Sequence, residues 1–419
     1  MLCTNQTRRR AVAFCCRLYS TPPKPISFDD TASLPPRALW RQYFPSNSKP
    51  FQHRVSISNS LTAAKLADAF VPEGSRDKII VEIFPGPGQL TRALLALPRS
   101  RIKQLIVLEN AEAYLKYLKP LERVDSRIRV LPLGGELWVS YQTLQDMKIL
   151  DEVNTVPWEQ GNHSVENRNI VHPQLHFISH LSSSVSGEQL ISQLLRSIPD
   201  QQWLFKYGRV PMSFLLSEYI WKRVLGDSLA VRCKLSTMAA AIASCTTAVP
   251  SSVLLPYAEH FHPIPPATAL AQREKERRGA RPLMMGKPGN PFVAVNITPL
   301  EHQVWFCNSA SPIIEHPLSQ VIQPGMLDKW DYCLRHLYVN RATPVKNALP
   351  YLAPNAQSLL KGLTSSDVDE SERINPKTPV REMTIKEWSL LVKAFDEWPF
   401  APEDLSITDT IGIDDEKHG

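Results

Sequence analysis

The sequence predicts a doubly wound α/β fold, and three observations carry that prediction. An apolar run, Lys78–Phe84, leads directly into the turn Pro85-Gly86-Pro87-Gly88. A helical pattern then begins at Leu90 and runs toward Leu97. A second apolar run, Gln104–Leu108, ends in Glu109. Strand, glycine turn, helix, strand and terminal acid make a βαβ unit, whose strands lie parallel and are covered by helices on both faces.

The remaining elements follow in order. Residues 52–70 read as an entry segment and an amphipathic helix, with Leu61, Ala64, Leu66 and Phe70 near one face. A third strand lies near Ile128–Leu133. Residues 151–170 are polar and aperiodic, as an exposed insertion would be. Leu175–Ile178 is a fourth strand, Gly187–Ser197 a helix, and Trp203–Lys206 a fifth strand. Ser213–Leu225 has a helical pattern. Residues 271–290 carry six bases (Arg273, Lys275, Arg277, Arg278, Arg281, Lys287) against two acids and read as a mobile basic loop. Phe292–Ile297 is the last expected strand. From Pro317 to Trp398 helical patterns dominate, broken by a polar linker at about 362–380, and the final 19 residues are acidic and lack a core pattern. The expected organisation is therefore a presequence and disordered N-terminus at 1–30, an α/β domain at 31–300, a smaller helical C-terminal domain at 301–400 and an acidic disordered tail at 401–419.

Composition narrows the function classes. The chain has 419 residues, 43% hydrophobic and 21% charged, with 47 Lys and Arg against 41 Asp and Glu. A net charge of +6 permits nucleic-acid binding without establishing it. Seven cysteines (3, 15, 16, 233, 245, 307, 333) form no CxxC pair and no Cys/His metal spacing, which argues for a reduced compartment and no metal. No stretch approaches the roughly 20 apolar residues of a membrane span. The first 20 residues hold Arg8, Arg9, Arg10 and Arg17, and the first acid is Asp29. That is the charge pattern of a mitochondrial presequence, with a disordered basic terminus as the plainer alternative.

The site signal is Glu82-Ile83-Phe84-Pro85-Gly86-Pro87-Gly88-Gln89-Leu90-Thr91. Glycines at a strand-to-helix turn let a ligand approach the backbone and the helix N–H groups. Glu109, at the end of the next strand, stands where nucleotide-binding folds hold the two ribose hydroxyls. The plainer alternative is a tight turn and an acid capping a strand end.

These residues also carry a resemblance. E-I-x-P-G-P-G-x-L-T is similar to the first motif of the S-adenosylmethionine-dependent rRNA adenine N6-dimethyltransferases. The likeness continues in order through Arg54-Val55-Ser56-Ile57-Ser58-Asn59, Leu108-Glu109-Asn110, Phe261-His262-Pro263-Ile264-Pro265-Pro266 and Arg335–Leu349, covering about 52–360. Within that family, Phe205-Lys206-Tyr207-Gly208-Arg209-Val210-Pro211 resembles the fungal mitochondrial transcription factors of the B type, which assist a single-subunit mitochondrial RNA polymerase. The resemblance implies a methyltransferase-type doubly wound sheet with a smaller helical C-terminal domain. It implies S-adenosyl-L-methionine as the family cofactor, with Val55, Ile57, Gly86, Gly88, Glu109 and His180 at the cofactor positions. It places Arg209, Arg335, Arg341 and Lys346 at a nucleic-acid surface. Mitochondrial RNA polymerase and a melted strand of promoter DNA are the implied partners, rRNA the implied substrate of an active methyltransferase, and the mitochondrial matrix the implied location.

The sequence departs from the family pattern at three places. Where the family has an N-L-P-Y-type motif holding a flipped adenine, this chain reads His180-Leu181-Ser182-Ser183. Phe84 replaces the family's glycine, and the acid expected after the third strand falls on Gly134-Gly135, with Glu136 nearest. A displaced amine costs methyl transfer heavily in rate. The departures weigh against catalysis and against use of the cofactor, and no catalytic residue is assigned beyond the degenerate His180.

Other residues admit plainer readings. Phe214, Tyr219 and Trp221 read as core rather than as a polymerase or DNA contact. Lys206, Arg209, Lys222 and Arg223 fit either phosphate contacts or a solvated face. Arg335, His336, Arg341 and Lys346, interleaved with Tyr332 and Tyr338, have the composition of a single-strand surface, charge for the backbone and rings for bases. Two functions follow: a non-enzymatic mitochondrial transcription initiation factor that confers promoter selectivity and assists melting, or an rRNA adenine N6-dimethyltransferase of the mitochondrial small subunit. Deleting residues 1–20 should leave the fold intact and abolish import into isolated mitochondria; undiminished import would remove the segment as the main signal.

Overall fold

A computed structural model describes residues 32–46, 54–158, 171–181, 183–278, 289–302, 319–365 and 373–405. The expected presequence, residues 159–170 of the expected insertion, Arg281 and Lys287 of the basic stretch, and the tail beyond residue 405 lie outside the described residues.

Among these, seven strands form the main sheet: β1 (Lys78–Ile83), β2 (Ile102–Leu108), β3 (Ile128–Leu131), β4 (Leu175–His180), β5 (Met212–Ser217), β6 (Ala243–Val249) and β7 (Phe292–Pro299). Their order is β3-β2-β1-β4-β5-β7-β6, and β7 runs antiparallel to both its neighbours. The order reverses between β1 and β4, where Ile83 pairs with Ser179. An open sheet splits there, leaving a crevice beyond the carboxyl ends of the strands.

Two-residue periodicity divides β1 between two cores. Ile79, Val81 and Ile83 join one layer, with Phe177, Leu190 and Leu194. Ile80 joins the other, with Leu66, Phe70, Leu90 and Leu94. The second layer is closed by helices α1 (Ser60–Phe70) and α2 (Gln89–Ala96), the first by α3 (Val185–Arg196), α4 (Glu218–Leu225) and α5 (Lys234–Ile242). The C-terminal helices α6 (Leu327–Tyr338) and α7 (Ile385–Asp396) extend that first layer through Trp330, Leu334, Trp388 and Phe395. Local chemistry starts the helices where they start. Asn59 Oδ1 accepts the Leu61 and Thr62 N–H groups at 2.9 and 3.1 Å, and Thr384 with Glu387 forms a reciprocal capping box.

Several expectations need correction. Ser213–Leu225 is not one helix. Its first part is the wholly buried strand β5, and the chain turns helical only at Glu218, where the Ser217 hydroxyl accepts the Ile220 N–H. A short continuous apolar run has no period by which to tell strand from helix. Trp203–Lys206 is not a strand but part of a 3-10 turn, Trp203–Tyr207, which drives Trp203 against Phe177 and Phe205, ring centroids 4.8 and 5.3 Å away. On α1 the buried face is Thr62, Ala63, Leu66, Ala67 and Phe70, whereas Leu61 is 80% exposed and Ala64 is exposed too. Residues 271–278 belong to a helix, Ala267–Arg278, supported by the Glu274–Arg278 pair one turn apart. Strand β6 was not anticipated, because Ala243–Val249 mixes small, hydroxyl and apolar residues. Nor is β7 the last strand, since Glu301–His302 pairs with Ser319–Gln320.

Phe214 lies in the centre of the sheet, fully buried. Phe214→Ala should cost about 3–5 kcal/mol, read as a lower urea midpoint; a cost below about 1 kcal/mol would contradict the packing described.

Candidate cofactor cleft and nucleic-acid surface

The crevice at the β1/β4 split opens into a cavity of about 950 Å³. Arg54, Val55, Phe84, Glu136, His180 and Leu190 are among its lining residues, with Lys116 at one side. Strand ends deliver three of the residues of this region: β1 leads to Phe84, β2 to Glu109 and β4 ends in His180.

Glu109 has a fully buried side chain and is already engaged. Arg54 grips it with both terminal nitrogens, Nη2 to Oε2 at 2.5 Å and Nη1 to Oε1 at 3.3 Å. The Ala111 N–H donates to Oε1 at 2.9 Å. The Arg54 guanidinium lies 5.2 Å from the ring centroids of both Phe84 and Tyr114, so two aromatic rings hold the same cation.

The glycine turn adopts left-handed backbone at Gly86 (φ 60°), Gly88 (φ 89°) and also Phe84 (φ 54°), where a side chain makes that conformation costly. The space at both glycines belongs to the protein itself. A Cβ on Gly86 would lie 2.6 Å from Ser56 Oγ, and one on Gly88 would lie 2.4 Å from Leu118 Cδ2. Beneath the turn, the buried Arg92 guanidinium donates to the carbonyls of Pro87, Gly88, Ala32 and Tyr117. Ile57 is buried beside this turn, and Val55 lines the cavity.

His180 is neutral at physiological pH: burial, with help from the nearby Arg54 cation, pulls its pKa down to about 3. Its Nε2 is buried with no hydrogen-bond partner among the described residues, and its ring meets Phe292 edge-on at 5.4 Å. The expected acid is absent from Gly134-Gly135; a Cβ on Gly135 would collide with Ile83 at 2.4 Å, and Glu136 lines the cavity instead.

S-adenosylmethionine needs a free carboxylate for its ribose, open space over the glycine turn and an environment that accepts a sulfonium cation. Here the carboxylate is paired, and the guanidinium that pairs with it, flanked by the Phe84 ring, already occupies the cleft. The residues present do not fit the cofactor in this arrangement. No group of His, Cys, Asp and Glu able to hold a metal occurs among the described residues.

The predicted nucleic-acid residues are dispersed. Arg209 is 5% exposed; its guanidinium donates to the Pro299 carbonyl at 2.9 and 3.0 Å and to Glu301 at 3.2 Å. It ties the segment leading into β5 to the end of β7 rather than facing solvent. Lys222 and Arg223 pair with Glu218 and Glu188 at 3.0 and 2.7 Å. Arg335 is half-buried in the last turn of α6, its guanidinium 5.7 Å from the Tyr332 ring. Arg341 is half-buried and donates to the Arg232 carbonyl, while Lys346 is exposed. The rings expected to receive bases are committed elsewhere. Tyr332 stacks on Phe395 at 5.4 Å and donates to the Leu352 carbonyl, and Tyr338 stacks on Trp388 at 5.5 Å. Phe214 and Trp221 are core, and Tyr219 is half-buried.

A feature outside the sequence reading is the segment Leu137-Trp138-Val139, following Glu136 at the cavity wall and 50, 43 and 62% exposed. Only its lack of amphipathic pattern after a strand end could have hinted at it.

The chain is similar to several known proteins. The family model for ribosomal RNA adenine dimethylase matches residues 55–299. Mitochondrial transcription factor 1 of Lachancea kluyveri is 21% identical over 327 residues, 77% of this chain and 82% of that protein. The protein of the same name from Saccharomyces cerevisiae is 22% identical over 334 residues, 78% of this chain and 82% of that one. Mitochondrial dimethyladenosine transferase 1 of Xenopus tropicalis is 27% identical over 217 residues, 49% of this chain and 57% of that one. Among solved structures, the 23S rRNA methyltransferase ErmE aligns with a TM-score of 0.44 and 12% identity, over 82% of this chain and all of that one.

Two outcomes follow. Burial pushes the Glu82 carboxyl up to about 8 from near 4.5, the Thr91 hydroxyl donating to Oε2 at 2.8 Å only partly opposing it. A folded-state pKa above the unfolded one means the native chain binds the extra proton, so stability falls as pH rises from about 4.5 to 8. Glu82→Gln should therefore raise the melting temperature at pH 8.5 and leave it nearly unchanged at pH 4.5; equal effects at both would refute the assignment. Arg209→Ala should destabilise the fold by about 2–4 kcal/mol through orphaned partners, with single-strand DNA affinity unaltered at temperatures where it remains folded.

Proposed function

The chain belongs to the ribosomal RNA adenine dimethylase family, and within it we propose that it acts as a mitochondrial transcription initiation factor rather than as a methyltransferase. Its partner would be the mitochondrial RNA polymerase and its ligand a melted strand of promoter DNA in the matrix. The observation that carries this reading is the similarity to yeast mitochondrial transcription factor 1 along 77% of the chain. The cleft supports it: Glu109 is paired, and the adenine-binding motif begins with His180-Leu181 in place of Asn-Leu. A base-capturing architecture without catalytic chemistry suits the holding of a separated strand.

The surface available for that work differs from the one the sequence suggested. Lys346 is exposed and Arg335 and Arg341 are half-buried cations for phosphates, while Trp138 is a partly exposed ring packed beside Trp203 and Tyr141. The methyltransferase reading draws its support from the retained glycine turn, Glu109 and the likeness to mitochondrial dimethyladenosine transferase 1 over half the chain.

Initiation by purified mitochondrial RNA polymerase on duplex promoters should require the protein, and on pre-melted promoters the requirement should largely disappear. Equal initiation on both templates without it, together with labelled methyl transfer to small-subunit rRNA, would overturn the proposal. Trp138→Ala should weaken single-strand binding by about 1–3 kcal/mol. Replacing Arg341 and Lys346 by Ala should flatten the salt dependence of affinity, by about 0.7 in slope per lost phosphate contact.

A further inference from the structure

We infer that Arg54 is an internal plug of the cofactor cleft: it takes the carboxylate that would hold a ribose and keeps the cleft closed to adenosyl ligands, which a single substitution at this position would admit. This goes beyond the transcription reading and does not depend on it.

Four observations converge on Arg54. Its two terminal nitrogens meet the two oxygens of Glu109 in a fork-to-fork pair, the geometry by which a guanidinium saturates a carboxylate. The Glu109 side chain is wholly buried under the pair, and that of Arg54 is 17% exposed. The guanidinium is stacked between Phe84 and Tyr114, so it is held by rings as well as by charge. Finally, Arg54 and Phe84 both line the cavity that an adenosyl group would enter.

Removing the plug has a definite chemical consequence. A buried carboxylate left without its cation is strongly unfavourable. It then seeks donors, and paired hydroxyl groups of a ribose are such donors. The cavity, about 950 Å³, is large enough for a nucleoside. The sulfonium of S-adenosylmethionine would meet a like charge in Arg54, whereas S-adenosylhomocysteine carries no sulfonium and isolates the question of the ribose.

The test is calorimetric titration of the full chain with S-adenosylhomocysteine and, separately, with adenosine. Wild type should give no saturable binding up to millimolar ligand. Arg54→Gln should bind both at least about tenfold more tightly, a gain of about 1.4 kcal/mol. Arg54→Gln combined with Glu109→Gln should lose the gain. Should Arg54→Gln melt too low for calorimetry, thermal shift reads the same contrast, because a ligand that binds only the folded state raises its melting temperature. S-adenosylhomocysteine should then stabilise the variant and leave wild type unmoved. Glu109-dependent binding by wild type, no gain in the folded Arg54→Gln protein, or a gain that survives Glu109→Gln would each overturn the inference. None of these readouts involves transcription, so a failed initiation assay and a failed plug are separate results.

Discussion

A parallel sheet covered on both faces has no place for charge except at its edges and strand ends. That constraint organises the molecule. Strand β1 gives alternate residues to two apolar layers, so its one acid, Glu82, has its pKa raised and is held by the Thr91 hydroxyl. The remaining charges of this region collect where β1, β2 and β4 finish, and there each must be neutralised locally. Glu109 is neutralised by Arg54, and His180 simply stays uncharged. The charges at the strand ends of the crevice are therefore met locally, while Glu136 and Lys116 line its walls.

The doubly wound class was legible because three signals coincided: an apolar run, a glycine turn and an acid closing the next apolar run. The edges of the argument were less secure. Met212–Ser217 and Glu218–Leu225 are both apolar-rich, and only the hydroxyl of Ser217, acting as a cap, separates strand from helix. Trp203–Tyr207 has strand-like composition, yet aromatic packing against Phe177 overrides it. The basic stretch reads as a loop by composition, while pairing at i,i+4 makes its first part helical.

The site was half legible. Which residues would meet at the cleft followed from the order of motifs, but what they would do to one another did not. Arg54 stands in the sequence as one more base before a helix. Its consequence depends on Glu109, 55 positions later, and on two rings that no local pattern connects to it. The same holds for Arg209, a base in a recognisable segment whose partners lie on β7 and just beyond it. Tyr332 and Tyr338 show the converse: rings beside bases look like a stacking surface until α7 packs against them. Long-range partners decide whether a charged or aromatic side chain is available, and a linear pattern contains only half of each such pair.

The glycine turn shows how a ligand-binding signature can also serve the scaffold. Its two glycines are held in place by Ser56, Leu118 and the guanidinium of Arg92, and replacing either would force neighbouring atoms apart whether or not any nucleotide ever arrives. Selection for a stable scaffold alone is enough to preserve the letters. In this chain the motif is also an architectural joint between β1 and α2, so its spelling alone does not distinguish a ligand site from a piece of scaffold.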